Sequence, residues 1–275
     1  MKIGIFTSFQ NNKIVKQAIE SCKSLGVDYE VVDIINENWL DNVRNSDCDG
    51  FFCPSNCISQ ELKTIQDERY YFVSQVMKRP IYPDFNGLYI HENKRNMAAW
   101  LELNNYAHAK TKVFTNIENA INYLSDCEYP IVTKANVGAA ASKVRIVKNK
   151  RKAIRMAKKC LPKKFIFKLL SLGLFYKTKV GFLNLPDLHN PQKDYFIVQE
   201  FVKDILWEWR ILKIGDSYFG HQKLLEGQFA SGSGKVGWVA PPQHLLEMVR
   251  ELCQKGGFRC MDVDIFETKD GKFVI

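Results

Sequence analysis

The chain has 275 residues, 46% of them apolar and 25% charged, and carries a formal net charge of +9. That length bounds one large or two to three smaller domains with ample core, and the composition excludes disordered and collagen-like classes. No apolar run reaches the roughly 18 residues that a spanning helix needs. Eight cysteines without framework spacing read as reduced thiols in a cytoplasm. Cys53 and Cys57 find no second Cys or His pair to complete a zinc site.

Taken in chain order, the first 90 residues read as α/β. MKIGIFTSF is a buried strand rather than a signal peptide, because it lacks a long apolar region and a small-residue cleavage site. A helix is expected over Lys13 to Leu25, a strand over Tyr29 to Ile34, and a third strand over Asp49 to Cys53. Glu61 to Met77 reads as helix and Arg79 to Asp84 as a short extended piece. Strands alternating with helices predict a small parallel sheet. The strand-end loops near Thr7, Ser8, Ser55 and Asn56 are candidate substrate contacts, although Ser and Asn also form ordinary turns.

His91-Glu92-Asn93-Lys94 precedes a helical run from Asn96 to Asn105. Tyr129-Pro130-Ile131-Val132-Thr133-Lys134 is a short buried strand that delivers a lysine. Gly138-Ala139-Ala140-Ala141-Ser142 follows, then the strand Val144 to Val147. A cation beside small residues makes a phosphate site, since small side chains let backbone N–H groups approach oxyanions. The bland alternative is a hairpin with a surface lysine.

The segment from Lys148 to Lys179 is rich in cations, has no acids, and interleaves an apolar run with aromatics. Three readings stand: one or two helices with a solvated lysine face, contact with an anionic membrane or polyanion, and contact with nucleic acid. No nucleic-acid-reading motif accompanies it. Beyond it, Phe196 to Val198 is an apolar strand leading into Gln199-Glu200-Phe201-Val202. The next strand places Glu208 and Arg210 either side of Trp209, and a third ends at Lys223. Ser231-Gly232-Ser233-Gly234 forms a loop. Gly232, Gly234 and Gly237 satisfy a dinucleotide-binding spacing, but no helix opens there; Val236 also denies the loop the Ser or Thr of a Walker motif. Met261 to Phe266 is a strand, Glu267 to Lys272 a turn with Asp-Gly chemistry, and Phe273 to Ile275 starts a return strand.

These motifs, in this order, resemble the ATP-grasp ligases of the glutathione synthetase and D-alanine–D-alanine ligase type, and most the subgroup linked to surface polysaccharides. The resemblance spans roughly residues 90 to 275. It implies an ATP-grasp fold, α+β in its core, preceded by a small parallel-sheet α/β domain. The domains would be 1–90, 91–195 with the basic insert 148–179, and 196–275. It further implies an ATP-dependent carboxylate–amine ligase working through an acyl phosphate, with ATP and Mg²⁺ as cofactors. Lys94, Lys134, Gly138, Ala139, Ala140, Ala141 and Ser142 would hold the phosphates. Gln199, Glu200, Phe201 and Val202 would form the adenine hinge, and Glu208 would accept ribose hydroxyls. Arg210 and Lys223 would be catalytic, stabilising the carboxylate and the charge that develops during transfer. Asp264, better aligned than Asp262, would bind the metal. Ser231, Gly232, Ser233 and Gly234 would face substrate.

The sequence departs from the pattern at Asn93, where an acid is usual, and in a phosphate loop with one glycine and three alanines. The second metal carboxylate is expected just after Ile275, so the resemblance implies a truncated chain that is inactive as it stands. Substrates would be a small-molecule, glycan or peptide carboxylate and an amine. The location would be cytoplasmic, peripheral to the inner membrane face if the insert meets lipid. The alternatives are an inactive nucleotide-binding relative and a basic binding module.

Overall fold

The computed structural model describes residues 1–8, 13–54, 59–138, 143–161, 194–225 and 234–275. In chain order the elements begin with β1 (Lys2–Thr7), α1 (Lys13–Leu25), β2 (Asp28–Asp33), α2 (Trp39–Asn45), β3 (Gly50–Phe52), α3 (Gln60–Tyr71), β4 (Ile81–Tyr82) and α4 (Phe85–Ile90). Then come α5 (Lys94–Leu103), β5 (Thr111–Phe114), α6 (Ile117–Asp126), β6 (Ile131–Lys134), β7 (Val144–Val147) and α7 (Lys150–Cys160). The last are β8 (Phe196–Glu200), β9 (Ile205–Ile214), β10 (Ser217–Leu224), β11 (Val236–Gly237), α8 (Gln243–Gly256), β12 (Cys260–Thr268) and β13 (Phe273–Val274). The chain divides into two compact units: Met1–Asn93 with Trp207–Ile265, and Lys94–Leu206 with Phe266–Ile275. Packing therefore groups the N-terminal segment with most of the last one, a different division from the one drawn along the motifs.

In the first unit β1 to β4 form a parallel sheet in the order β2-β1-β3-β4. Ile5 and Phe6, neighbours on β1, are both fully buried, as expected of a parallel strand covered on both faces. Phe6, Val32, Ile34, Phe51, Tyr70, Val73 and Leu88 pack as its core. The helix expected to run to Met77 changes character at Phe72, where α3 passes into a π-helical turn, Phe72–Val76. Asp84 caps α4 by accepting from the Gly87 amide at 2.7 Å. It also accepts from the Arg259 amide at 2.8 Å, which ties residues distant in sequence into one unit.

The second sheet of this unit runs β11-β10-β9-β12. Its buried face carries Trp209, Ile211, Val263 and Ile265, alternating with the polar face as the pleat demands. Helix α8 packs on β10 and buries Leu245, Val249, Leu252 and Cys253, one stripe at helical spacing. It stops at Gly257, whose φ of 65° is the left-handed cap conformation that glycine adopts without steric cost.

The second unit holds an antiparallel sheet in the order β5-β8-β6-β7. Helices α6 and α7 cover it, with Ala120, Leu124, Ala153, Ala157 and Cys160 meeting Ile131, Val147, Phe196 and Val198. The end of β12 also belongs here, Phe266 pairing with Val274 and Glu267 with Phe273.

Candidate active site

The first unit concentrates charge on the polar face of its second sheet. Register sets Lys223 of β10 opposite Glu208 of β9, and His221 opposite Arg210. Directly opposed residues in an antiparallel pair share a face, so all four stand on one side. Asp262 and Asp264, two apart on β12, join them. Arg210 donates from Nε and Nη2 to the two oxygens of Asp264, each at 2.9 Å. Lys223 donates to Asp264 at 2.6 Å and to Glu208. Arg210 Nε also lies 3.1 Å from Asp262 Oδ1. Glu208 is 4% exposed and Lys223 9%.

The electrostatics separate the two aspartates. Burial works against the charge on Asp264, but hydrogen bonds and charge from Arg210 and Lys223 outweigh it and hold its carboxyl below the ordinary aspartate value. Burial, and then the neighbouring Asp264, push the Asp262 carboxyl up to about 6. Burial and the charges of Arg210 and Lys223 lower the His221 imidazole, which favours its neutral form. Asp262 was passed over in the sequence for Asp264. The signal that could have retained it is the two-residue spacing, which on a strand puts both carboxylates on one face. Two carboxylates on one face offer hard oxygens of the kind a divalent cation takes, and in this structure both Asp264 oxygens are engaged by Arg210 and Lys223.

The second unit positions the lysines expected at phosphate. Lys134 ends β6, opposite Val144 of β7. Asn136, fully buried, makes the connection that sequence reading missed. Its carbonyl accepts from the Lys94 amide at 3.1 Å and its side-chain oxygen from the Arg95 amide at 2.9 Å, while its own amide donates to Tyr195 Oη at 2.8 Å. The start of α5 is thereby pinned to the loop after β6, and Lys94 Nζ donates to the Gly138 carbonyl at 2.7 Å. Nothing in the sequence marks Asn136 beyond its place two residues after Lys134.

Gln199 donates from Nε2 to Thr111 Oγ1 at 2.9 Å, and the Glu200 amide donates to the Lys110 carbonyl at 2.9 Å. Phe201 and Val202 follow β8 outside regular secondary structure. Ala139 to Ser142, Ser231 to Ser233, Ser55, Asn56 and the basic insert from residue 162 to 179 lie outside the described residues. Gly234 adopts a φ of 69°. The structure thus brings together Glu208, Arg210, Lys223 and Asp264 in one unit, and Lys94 with Gly138 in the other, where Lys134 ends β6.

No family model matches the sequence. The chain is 26% identical over 270 residues to the alpha-aminoadipate–LysW ligase LysX of Saccharolobus solfataricus, covering 94% of this chain and 86% of that one. Its fold is similar to N5-carboxyaminoimidazole synthetase from Staphylococcus aureus complexed with ADP. The TM-score there is 0.63 and the identity 11%, over 99% of this chain and 68% of that one. It is similar too to the macrocyclase MdnC from Microcystis aeruginosa, solved with the precursor peptide MdnA. That match has a TM-score of 0.60 at 13% identity over 100% and 90% of the two chains. The chain has the ATP-grasp fold, a parallel-sheet N-terminal region combined with the antiparallel sheets of the grasp core.

Proposed function

We propose that the chain is an ATP- and Mg²⁺-dependent ligase that joins a carboxylate to an amine. One observation carries the reading: Arg210 and Lys223 converge on a single carboxylate, that of Asp264, with donor distances of 2.6 to 2.9 Å. A fork-shaped guanidinium with an ammonium beside it is a ready carboxylate site. With Asp264 released towards the metal, the substrate carboxylate would take its place at these cations and attack the γ-phosphorus of ATP. ADP leaves and an acyl phosphate forms. The amine then attacks the acyl carbon, phosphate departs, and an amide remains. Arg210 and Lys223 stabilise the charge on the reacting oxygens. Glu208 holds Lys223 in position, and the resemblance adds a ribose contact to its role.

Lys94 and Lys134, beside Gly138 and the small-residue loop that follows, neutralise the phosphates. Gln199 to Val202 supply the adenine hinge. Asp264 and Asp262 would hold Mg²⁺, which would supply positive charge against the phosphates. For the acceptor we propose a surface polysaccharide or a peptide-like chain, handled at the cytoplasmic face of a membrane. The peptide alternative draws support from MdnC, solved with a peptide. Six exposed cations on α7 support the membrane location, and among the described residues no helix is long and apolar enough to cross a membrane.

The test is binding before turnover. Mg·ATP should raise the melting temperature by mass action, and a carboxylate should bind in an Arg210-dependent manner. Absence of any nucleotide shift in folded protein overturns the assignment. A nucleotide shift with carboxylate binding indifferent to Arg210→Ala supports instead a nucleotide-binding protein without ligase activity.

A further inference from the structure

The charged face of the second sheet does not end at its ions. Strand β11 pairs with β10 through Val236 opposite Lys223 and Gly237 opposite Gln222. Continuing this register by one residue sets Trp238 opposite His221, on the face that carries Lys223 and Arg210. The rings agree: the His221 and Trp238 centroids lie 5.5 Å apart, with planes tilted by 44°. Trp238 is nevertheless 84% exposed, the highest value for any large apolar side chain among the described residues. Val236 and Val239 beside it are 39% and 55% exposed. A tryptophan that contributes so little to the core has apolar area to spend elsewhere, and its indole has a flat face.

We propose that Trp238, seated against His221, is a specificity-determining platform that selects a carboxylate substrate carrying a ring or other flat apolar face close to its reacting group. The proposal rests on the assignment of Arg210 and Lys223 as the carboxylate site. Strand spacing supplies the geometry. Trp238 continues the strand next to that of Lys223 and two strands from that of Arg210, about 5 and about 10 Å away in the plane of the sheet. A carboxylate held by the cations can extend its next few atoms over His221 to reach the indole. Straight-chain carboxylates gain little there, because a flexible chain must be ordered to cover the ring, whereas a rigid ring is ordered already. A saccharide ring with its C–H face and an aromatic side chain share this chemistry.

The experiment is calorimetric titration of the full chain, in the presence of ADP and Mg²⁺, with acetate, phenylacetate and glucuronate. Wild-type protein, Trp238→Ala, Trp238→Phe and Arg210→Ala are compared. Wild type should bind at least one ring-bearing acid several-fold to about tenfold more tightly than acetate, in the range expected of an aromatic contact. Trp238→Ala should lose that preference and keep its acetate affinity; Trp238→Phe should retain most of it. Because Trp238 is so exposed, loss of folding does not confuse the result. Phenylacetate and glucuronate distinguish an aromatic from a saccharide source. A Trp238→Ala protein with unchanged preference, or a wild type with no preference but Arg210-dependent acetate binding, overturns the platform and leaves the ligase reading standing. Carboxylate binding that survives Arg210→Ala, or its absence in wild type, removes the carboxylate site and the platform with it.

Discussion

Two regions of this molecule are dense in charge, and they are built in opposite ways. On the second sheet of the first unit, Arg210 and Lys223 meet Glu208, Asp262 and Asp264 on a face where Glu208 and Lys223 are buried. On α7, Lys150, Arg151, Lys152, Arg155, Lys158 and Lys159 all stand exposed, and that helix contains no acid. The first arrangement is costly to assemble, because each ion leaves water and must find compensation inside the protein. The second costs little to fold, because water and salt screen it. Net charge describes only the second. The chemistry proposed above falls on the first, where a displaced or added ion changes the balance of every neighbour.

The sharpest way to break that contrast is to remove one ion from the sheet cluster. Lys223→Met should destabilise the protein by about 3 kcal/mol, because Glu208 and Asp264 would each lose the ammonium that faces them. Urea unfolding measures it. The double substitution Glu208→Gln with Lys223→Met should recover part of the loss, since the carboxylate that lost the ammonium is then neutral. If Lys223→Met unfolds at the wild-type urea midpoint, the cluster is as loosely solvated as α7.

Next in size is Lys134→Ala. A charge-assisted hydrogen bond to phosphate contributes about 1.5 to 3 kcal/mol, so ATP should bind on the order of tenfold to a hundredfold more weakly. The melting-temperature shift by Mg·ATP should shrink accordingly. Equal nucleotide shifts in the two proteins would remove Lys134 from the phosphate site.

The third test uses the two aspartates. The Asp262 carboxyl is raised to about 6 in the fold. Between about pH 4 and pH 6 the folded protein therefore holds a proton that the unfolded chain has released. This group's contribution to stability falls as pH rises through that window. The lowered Asp264 acts the other way: its contribution is present above its unfolded value and is lost as pH falls through the folded one. A proton on Asp262 also competes with a cation. Mg²⁺ binding should thus weaken by about tenfold for each unit below pH 6, and Asp262→Asn should flatten that slope. A pH-independent Mg²⁺ affinity in the wild type would exclude Asp262 as a ligand.

How far the sequence foretold these features depends on whether local pattern or distant pairing made them. Helix α1 begins at Lys13 and ends at Leu25, as its spacing predicts, and β1, β3 and β6 lie where apolar runs placed them. Glu208, Arg210, Lys223 and Asp264 came from the family resemblance, and their alternate positions on strands explain why the fold sets them on one face. Asn136 was not legible, since its role comes from three hydrogen bonds to residues up to 59 positions away. Trp238 carries no signal of its own in the sequence. Its meaning appears once register sets it against His221. The π-helical turn at Phe72 was equally silent, as apolar spacing does not distinguish the two helix types over one turn.

The smallest expected effect on folding belongs to α7, and for that reason it isolates the role of the exposed cations. Replacing Lys152, Arg155, Lys158 and Lys159 with Gln removes four charges and keeps good helix formers. Lys158 and Lys159 lie in the last turn, where a cation gains about 0.3 to 1 kcal/mol from the helix dipole, so stability should fall by no more than about 1 to 2 kcal/mol. The buried stripe of Ala153, Ala157 and Cys160 is untouched. Lipid binding should respond much more strongly, because each basic residue at an anionic surface contributes on the order of 1 kcal/mol. Wild-type protein should sediment with phosphatidylglycerol-containing vesicles at low salt, release at high salt, and ignore pure phosphatidylcholine. The four-Gln protein should stay in the supernatant while its Mg·ATP melting shift remains that of the wild type. Absence of vesicle binding in the wild type would leave α7 only a solvated face and remove the physical support for a membrane-side acceptor, whereas binding that survives these substitutions would place the lipid contact elsewhere on the chain.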